Sequence, residues 1–217
     1  MSKIKPNDDD GETVFEPLLD TESSLYVFLA EPAITTITFF KDADVEKSTS
    51  WLRGRVSAIC RANPWLVGRL VRNKKLHKNV LLALPKHIQD KDIDALLGPG
   101  HDSVKSLEGI STDTPYSTVC AKLSKSNAVV GPGYKLVGKD KRISKFTLAK
   151  VGNGQVALIV SMTHAVADGH TYYKILSMLM GEIEETTYTR NHNFVPLGFK
   201  AIGEADSKYL TSFSFML

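Results

Sequence analysis

Apolar and polar positions recur along this chain with a period that changes from segment to segment. Ile34-Thr35-Thr36-Ile37-Thr38-Phe39-Phe40 is rich in β-branched and aromatic residues and predicts a strand. From Val45 onward, Leu52, Val56 and Ile59 fall at helical spacing, with Asp42 or Asp44 available as a cap. That amphipathic helix should end around Arg61-Ala62-Asn63-Pro64, because the residue before a proline is driven out of the helical region. Residues 65–71 then predict a short buried strand or the lead-in to one. Val80 to Leu84 predicts another, stopped by Pro85.

The pattern is clearest in the last third. Residues 143–151 alternate as a half-buried strand does, and Gly152-Asn153-Gly154 follows as a hairpin turn. Gln155 to Thr163 is apolar with little alternation, which predicts a central strand covered on both faces. Tyr172, Ile175, Leu176, Leu179 and Met180 then stand at i, i+3, i+4, i+7 and i+8, one face of a helix. Between Lys86 and Pro115 periodicity is weak, with a short helix expected across Asp90 to Leu97. Gly131-Pro132-Gly133 signals a loop. Residues 1–12 are polar and predict a disordered tail, with order starting near Phe15 to Leu19. There is no internal repeat and no clear boundary after the tail, so residues 13–217 are expected to form one unit.

Composition narrows the classes. The 217 residues are 42% hydrophobic and 24% charged, with a net charge of +3, an ordinary globular balance that does not suggest nucleic-acid binding. The basic cluster from Arg69 to Lys78 reads as a solvated loop. Cys60 and Cys120, without CxxC or Cys/His ligand spacing, argue against a disulfide scaffold or a zinc knuckle and for a reducing compartment. The N-terminal stretch lacks the apolar core of a signal peptide, and Val156 to Met162 is far too short to span a bilayer. A soluble, cytoplasmic protein is the expectation.

The candidate chemistry lies in Ser161-Met162-Thr163-His164-Ala165-Val166-Ala167-Asp168-Gly169-His170. A histidine at the end of a buried strand is held rigidly where open α/β sheets place their sites. Three plainer readings stand beside that one. His164 is a hydrogen-bonded core residue; Asp168 is an N-cap for a helix starting near His170 or Thr171; or His164, Asp168 and His170 are metal ligands. The last is the weakest, because Gly169 and the preceding strand disrupt a helical ligand face.

Thr163 to Gly169 resembles the HxxxDG signature of the chloramphenicol acetyltransferase superfamily, which includes condensation domains, wax ester synthases and BAHD acyltransferases. Asn63-Pro64-Trp65-Leu66-Val67-Gly68-Arg69-Leu70 is similar to that group's Pro-Leu-Ala-Gly-Arg-Leu segment. The resemblance implies an α/β fold with a mixed sheet flanked by helices, one half of a two-lobed acyltransferase. It implies acyl-CoA as co-substrate, with no permanently bound cofactor, and a hydroxyl or amine acceptor. His164 becomes the general base, and an imidazole suits proton transfer near neutral pH. Asp168 becomes a structural residue that pairs with an arginine, for which Arg69 is the candidate. Gly169 permits a tight loop, and Thr163 and Ser161 are polar neighbours able to contact substrate or an oxyanion.

The sequence also departs from the superfamily's pattern. Thr163 stands where many members have a second histidine, which tilts the reading away from peptide-forming condensation domains. Members of the BAHD and condensation branches are roughly twice as long, and the BAHD second-half segment Asp-Phe-Gly-Trp-Gly is missing here. Residues 13–217 are therefore expected to be an incomplete N-terminal lobe. The other possibility is a short subunit that completes its site by forming a homo-oligomer. An uncovered second-half interface, with the apolar Phe213 to Leu217 nearby, predicts self-association. Two rival functions remain open at this point: a silent binding or scaffold half-domain, and a condensation-type module fed by a carrier protein.

Overall fold

The computed structural model describes residues 13–18, 30–72, 80–98, 104–182 and 184; the expected tail over 1–12 and the apolar Phe213 to Leu217 lie outside them. The elements run β1 (Thr13–Pro17), β2 (Ile34–Phe40), α1 (Val45–Ala62), β3 (Arg69–Arg72), β4 (Val80–Pro85) and α2 (Asp90–Asp94). They continue with α3 (Tyr116–Ser124), α4 (Gly133–Leu136), β5 (Ser144–Lys150), β6 (Val156–Met162) and α5 (Gly169–Met180).

Local chemistry explains most of these limits. Asp44 caps α1 by accepting a hydrogen bond from the Lys47 amide at 3.1 Å. Leu52, Val56, Ile59 and Cys60 form the helix's buried face. Pro64 then opens a 3-10 turn, Pro64–Val67, where the sequence pattern points to a strand. Proline lacks an amide hydrogen and is preset for a first helical position, so the strand starts only at Arg69.

Two antiparallel three-stranded sheets form, in the orders β1-β4-β3 and β2-β6-β5. The α/β class is as expected, but the single mixed sheet is replaced by two. Among the described residues, parallel pairing occurs only at an isolated bridge between Leu97 and Phe146. A second isolated bridge, Arg69 to Arg142, brings β3 close to the residues leading into β5.

β6 is central, and all seven of its residues are buried. It pairs with β5 from Ser144 opposite Met162 to Lys150 opposite Val156, and with β2 from Ile34 opposite Met162 to Phe40 opposite Val156. Asn153 and Gly154 close the hairpin in the left-handed region, at φ 57° and 65°. Side chains alternate across the sheet. Val156, Leu158, Val160 and Met162 enter the larger core with residues of α1 and α5. Ala157 and Ile159 enter a second core with Leu107, Ile110, Val119 and Leu123. Covered faces on both sides account for the strand's unbroken apolar run.

Candidate active site

The backbone continues the β5 pairing one residue beyond β6, the Thr163 amide donating to the Ile143 carbonyl at 2.9 Å. It then turns, and the Val166 amide donates back to the Thr163 carbonyl at 3.3 Å. Ala165, Val166 and Ala167 are buried in the larger core, so apolar contact anchors the loop on either side of its polar residues. The His164 side chain remains 21% exposed, and its Nε2 lies 3.3 Å from Oε2 of Glu31.

Glu31 comes from far upstream, three residues before β2. The β2–β6 register, with Ile34 opposite Met162, carries it to the end of the sheet where His164 emerges. Nothing in the local sequence around Glu31 signals this meeting, which depends on a pairing between distant strands.

Asp168 occupies the N-cap of α5. Its Oδ1 accepts a hydrogen bond from the Thr171 amide at 2.8 Å, and its carbonyl accepts one from the Tyr172 amide at 2.9 Å. The capping alternative is therefore the geometry observed, with the helix starting at Gly169. The expected pairing of Asp168 with Arg69 does not form. Asp168 is exposed, so water and the helix N-terminus solvate its carboxylate and no buried cation is required. Arg69 instead forms an ion pair with Asp140.

The buried pair near this end of the sheet is Arg142 with Asp92. One guanidinium nitrogen lies 2.8 Å from Asp92 Oδ1 and another donates to the Val67 carbonyl. The two side chains are only 15% and 6% exposed. Asp92 Oδ2 also accepts from the Gln89 amide at 3.0 Å, which closes the cap of α2. The residues are fifty positions apart in sequence, with no motif to link them.

The tight-loop role expected of Gly169 also falls away. It is the first residue of α5, outside the left-handed region, and an added Cβ would meet open space. Ser161 is engaged internally: its Oγ accepts from the Val130 amide at 3.0 Å and lies 2.8 Å from Thr35 Oγ1. Thr163 Oγ1 is buried and has no hydrogen-bond partner among the described residues. His170 is exposed on α5, and among the described residues no three His, Cys, Asp or Glu side chains group so as to hold a metal ion.

Tyr172, read from sequence only as an apolar helix position, does polar work here. Its hydroxyl donates to the Val160 carbonyl at 2.8 Å and accepts from the Thr36 amide at 3.0 Å. Burial pushes its pKa up to about 12, against the hydrogen bonds from Thr36 that act in the other direction. At the far end of α5, Arg55 donates to the carbonyls of Met178 and Leu179, a cation at the negative end of the helix dipole.

No family model and no curated protein matches the sequence. Among solved structures, the chain aligns with F. graminearum TRI101 complexed with ethyl coenzyme A, at 14% identity and a TM-score of 0.51. The alignment covers 82% of this chain and 41% of that one. F. sporotrichioides TRI101, complexed with coenzyme A and T-2, aligns at 14% identity and a TM-score of 0.51, over 81% and 42% of the two chains. This chain thus spans about two fifths of the length of the TRI101 chains, and the likeness at this identity is one of fold. No helix among the described residues is long and apolar enough to cross a membrane.

Proposed function

We propose that this chain carries the general-base lobe of an acyltransferase that moves an acyl group from acyl-CoA to a hydroxyl or amine. The observation that carries this reading is His164, half-emerged from the end of a fully buried central strand with its Nε2 3.3 Å from the Glu31 carboxylate. Two further supports are the HxxxDG resemblance of residues 164–169 and the fold shared with a protein that holds ethyl coenzyme A.

In this reading His164 takes the proton from the acceptor as its oxygen or nitrogen attacks the thioester carbonyl. The positive charge that the imidazole gains then lies beside Glu31, which holds the ring by charge as well as by position. The proton passes on to the departing thiolate, so no acyl-enzyme bond is needed and rate comes largely from placing donor and acceptor together. Asp168 contributes by fixing the first turn of α5, which sets where the 163–168 loop ends. The remaining walls of the site belong to the rest of a longer assembly.

The test is release of free coenzyme A from a series of acyl-CoA esters over a panel of alcohols and amines. His164→Ala is expected to lower the rate by roughly 10²- to 10⁴-fold, and Glu31→Gln by less. Turnover indifferent to His164→Ala in a folded protein rules this assignment out. Release that requires a phosphopantetheinylated carrier protein moves the donor to that class.

A further inference from the structure

Alongside the hairpin that carries His164 lies a cleft of about 590 Å³. Arg69, Lys135, Lys141, Arg142 and Lys145 line it, together with one carboxylate, Asp140. Asp140 is matched to Arg69, and Arg142 is matched to Asp92. That leaves the three lysines without a carboxylate partner among the described residues. Lys145 is half-buried and donates from Nζ to the Asn127 carbonyl at 2.5 Å. Burial, followed by the charge of Lys141, pushes the Lys145 ammonium below the ordinary lysine range. Lys135 and Lys141 reach the cleft from its exposed rim, and the part-desolvated Lys145 charge is unfavourable there unless an anion joins it.

We propose that this cleft binds a ligand bearing phosphate groups. A single carboxylate would answer one of three ammonium groups that have no carboxylate partner among the described residues, whereas a phosphate ester or diphosphate supplies two or more charges in one ligand. Lysine acts well toward phosphate as a point charge, and Arg69, whose partner Asp140 is exposed, can turn from that ion pair to a ligand. The cleft lies toward the His164 end of the hairpin: Lys145 is directly opposite Ser161, and Ile143 receives the Thr163 amide. Such a ligand is either a nucleotide-type coenzyme or a phosphorylated small molecule. Because binding is measured without turnover, the proposal stands or falls apart from the role of His164.

Calorimetric titration of the full chain with inorganic pyrophosphate, coenzyme A and phosphate-free pantetheine tests it. Pyrophosphate and coenzyme A are expected to bind, more weakly as salt is raised, while pantetheine does not. Lys141→Glu, an exposed position, should weaken both by about tenfold or more, the loss of one charge-assisted contact. Asp140→Asn should tighten both several-fold. Asparagine accepts the positive φ of 52° at that site, so this gain cannot come from misfolding. Tighter binding of coenzyme A than of pyrophosphate assigns the phosphates to the coenzyme, and the reverse order assigns them to another phosphorylated molecule. Pantetheine binding as well as coenzyme A, or affinities unmoved by both substitutions, overturns the proposal.

Discussion

The hydroxyl of Tyr172 and the hydroxyl of Thr36 lie 2.7 Å apart, joining the helix that follows the His164 loop to an outer strand of the same sheet. Since that hydroxyl also serves Val160, one buried side chain ties α5, β2 and β6 together. Tyr172→Phe keeps the ring and deletes the contacts, leaving the Thr36 hydroxyl without its tyrosine partner, while Thr36 and Val160 stay opposite each other in the ladder. The expected loss is about 1–3 kcal/mol in chemical denaturation, with no change in the denaturant slope.

Alkaline stability should depend on two buried acids. Cys60, pushed by burial to about 12 from an ordinary value near 9, joins Tyr172, pushed to about 12 from near 10. In the unfolded chain both give up their protons at the lower values, whereas the folded protein retains them to about 12. Their contribution is therefore complete below pH 9 and falls as pH rises towards 12, by on the order of 3 kcal/mol for each group. Denaturation midpoints across that range should fall less steeply in Cys60→Ala, whatever its stability at pH 7.

At the head of α5, Asp168→Ala should cost about 1 kcal/mol, while Asp168→Asn, which still caps, should stay within a few tenths. Gly169→Ala should be neutral or stabilising by up to about 1 kcal/mol, because the position is helical and the added methyl meets nothing. Thermal melting separates these outcomes. A strongly destabilised Gly169→Ala would restore the tight-loop role for that glycine.

Arg142 and Asp92 form a pair in which removal of one partner strands the other. Arg142→Met should destabilise the protein by about 3–5 kcal/mol, and Arg142→Met with Asp92→Asn by clearly less, since asparagine carries no charge to bury. A double variant no better than the single one would show that the arginine's bond to the Val67 carbonyl is the larger contribution.

Thr163→Val replaces a buried hydroxyl, unpartnered among the described residues, with a methyl of similar size. Stability should hold or rise by about 1 kcal/mol. Acyl transfer lowered a hundredfold or more in an equally stable variant would mean that Thr163 meets the substrate.

What the sequence revealed was whatever a short window contains. The α1 stripe, the hairpin over 143–163 and the face of α5 each follow from periodicity and a nearby cap or turn. α3 escaped notice because only Val119 and Leu123 of its nine residues are buried, too few to make a period. The candidate site divides in the same way. His164 and the capping carboxylate of Asp168 stand in one contiguous motif. Glu31, Arg142 and Asp92 reach their places only through strand pairing and the packing of α2, which no local spacing encodes. The arginine partner that the resemblance implies for Asp168 is not needed, because its carboxylate is exposed at the N-terminus of α5.

The ladder of β6 between β2 and β5 makes the site a matter of parity. Along a strand, odd and even positions face opposite sides, so the direction of every side chain up to the His164 loop is decided by counting from the Gly152–Gly154 turn. One residue inserted directly after Val156, if the pairing shifts with it, would interchange the two cores, sending Leu158 and Val160 where alanine and isoleucine now fit. It would also present His164 from the opposite phase. A single extra residue would have to be absorbed as a bulge, whereas two keep the phase, and the turn itself resists substitution: a Cβ at Gly152 would meet the Ile110 carbonyl at 2.9 Å, and Gly154 sits at φ 65°.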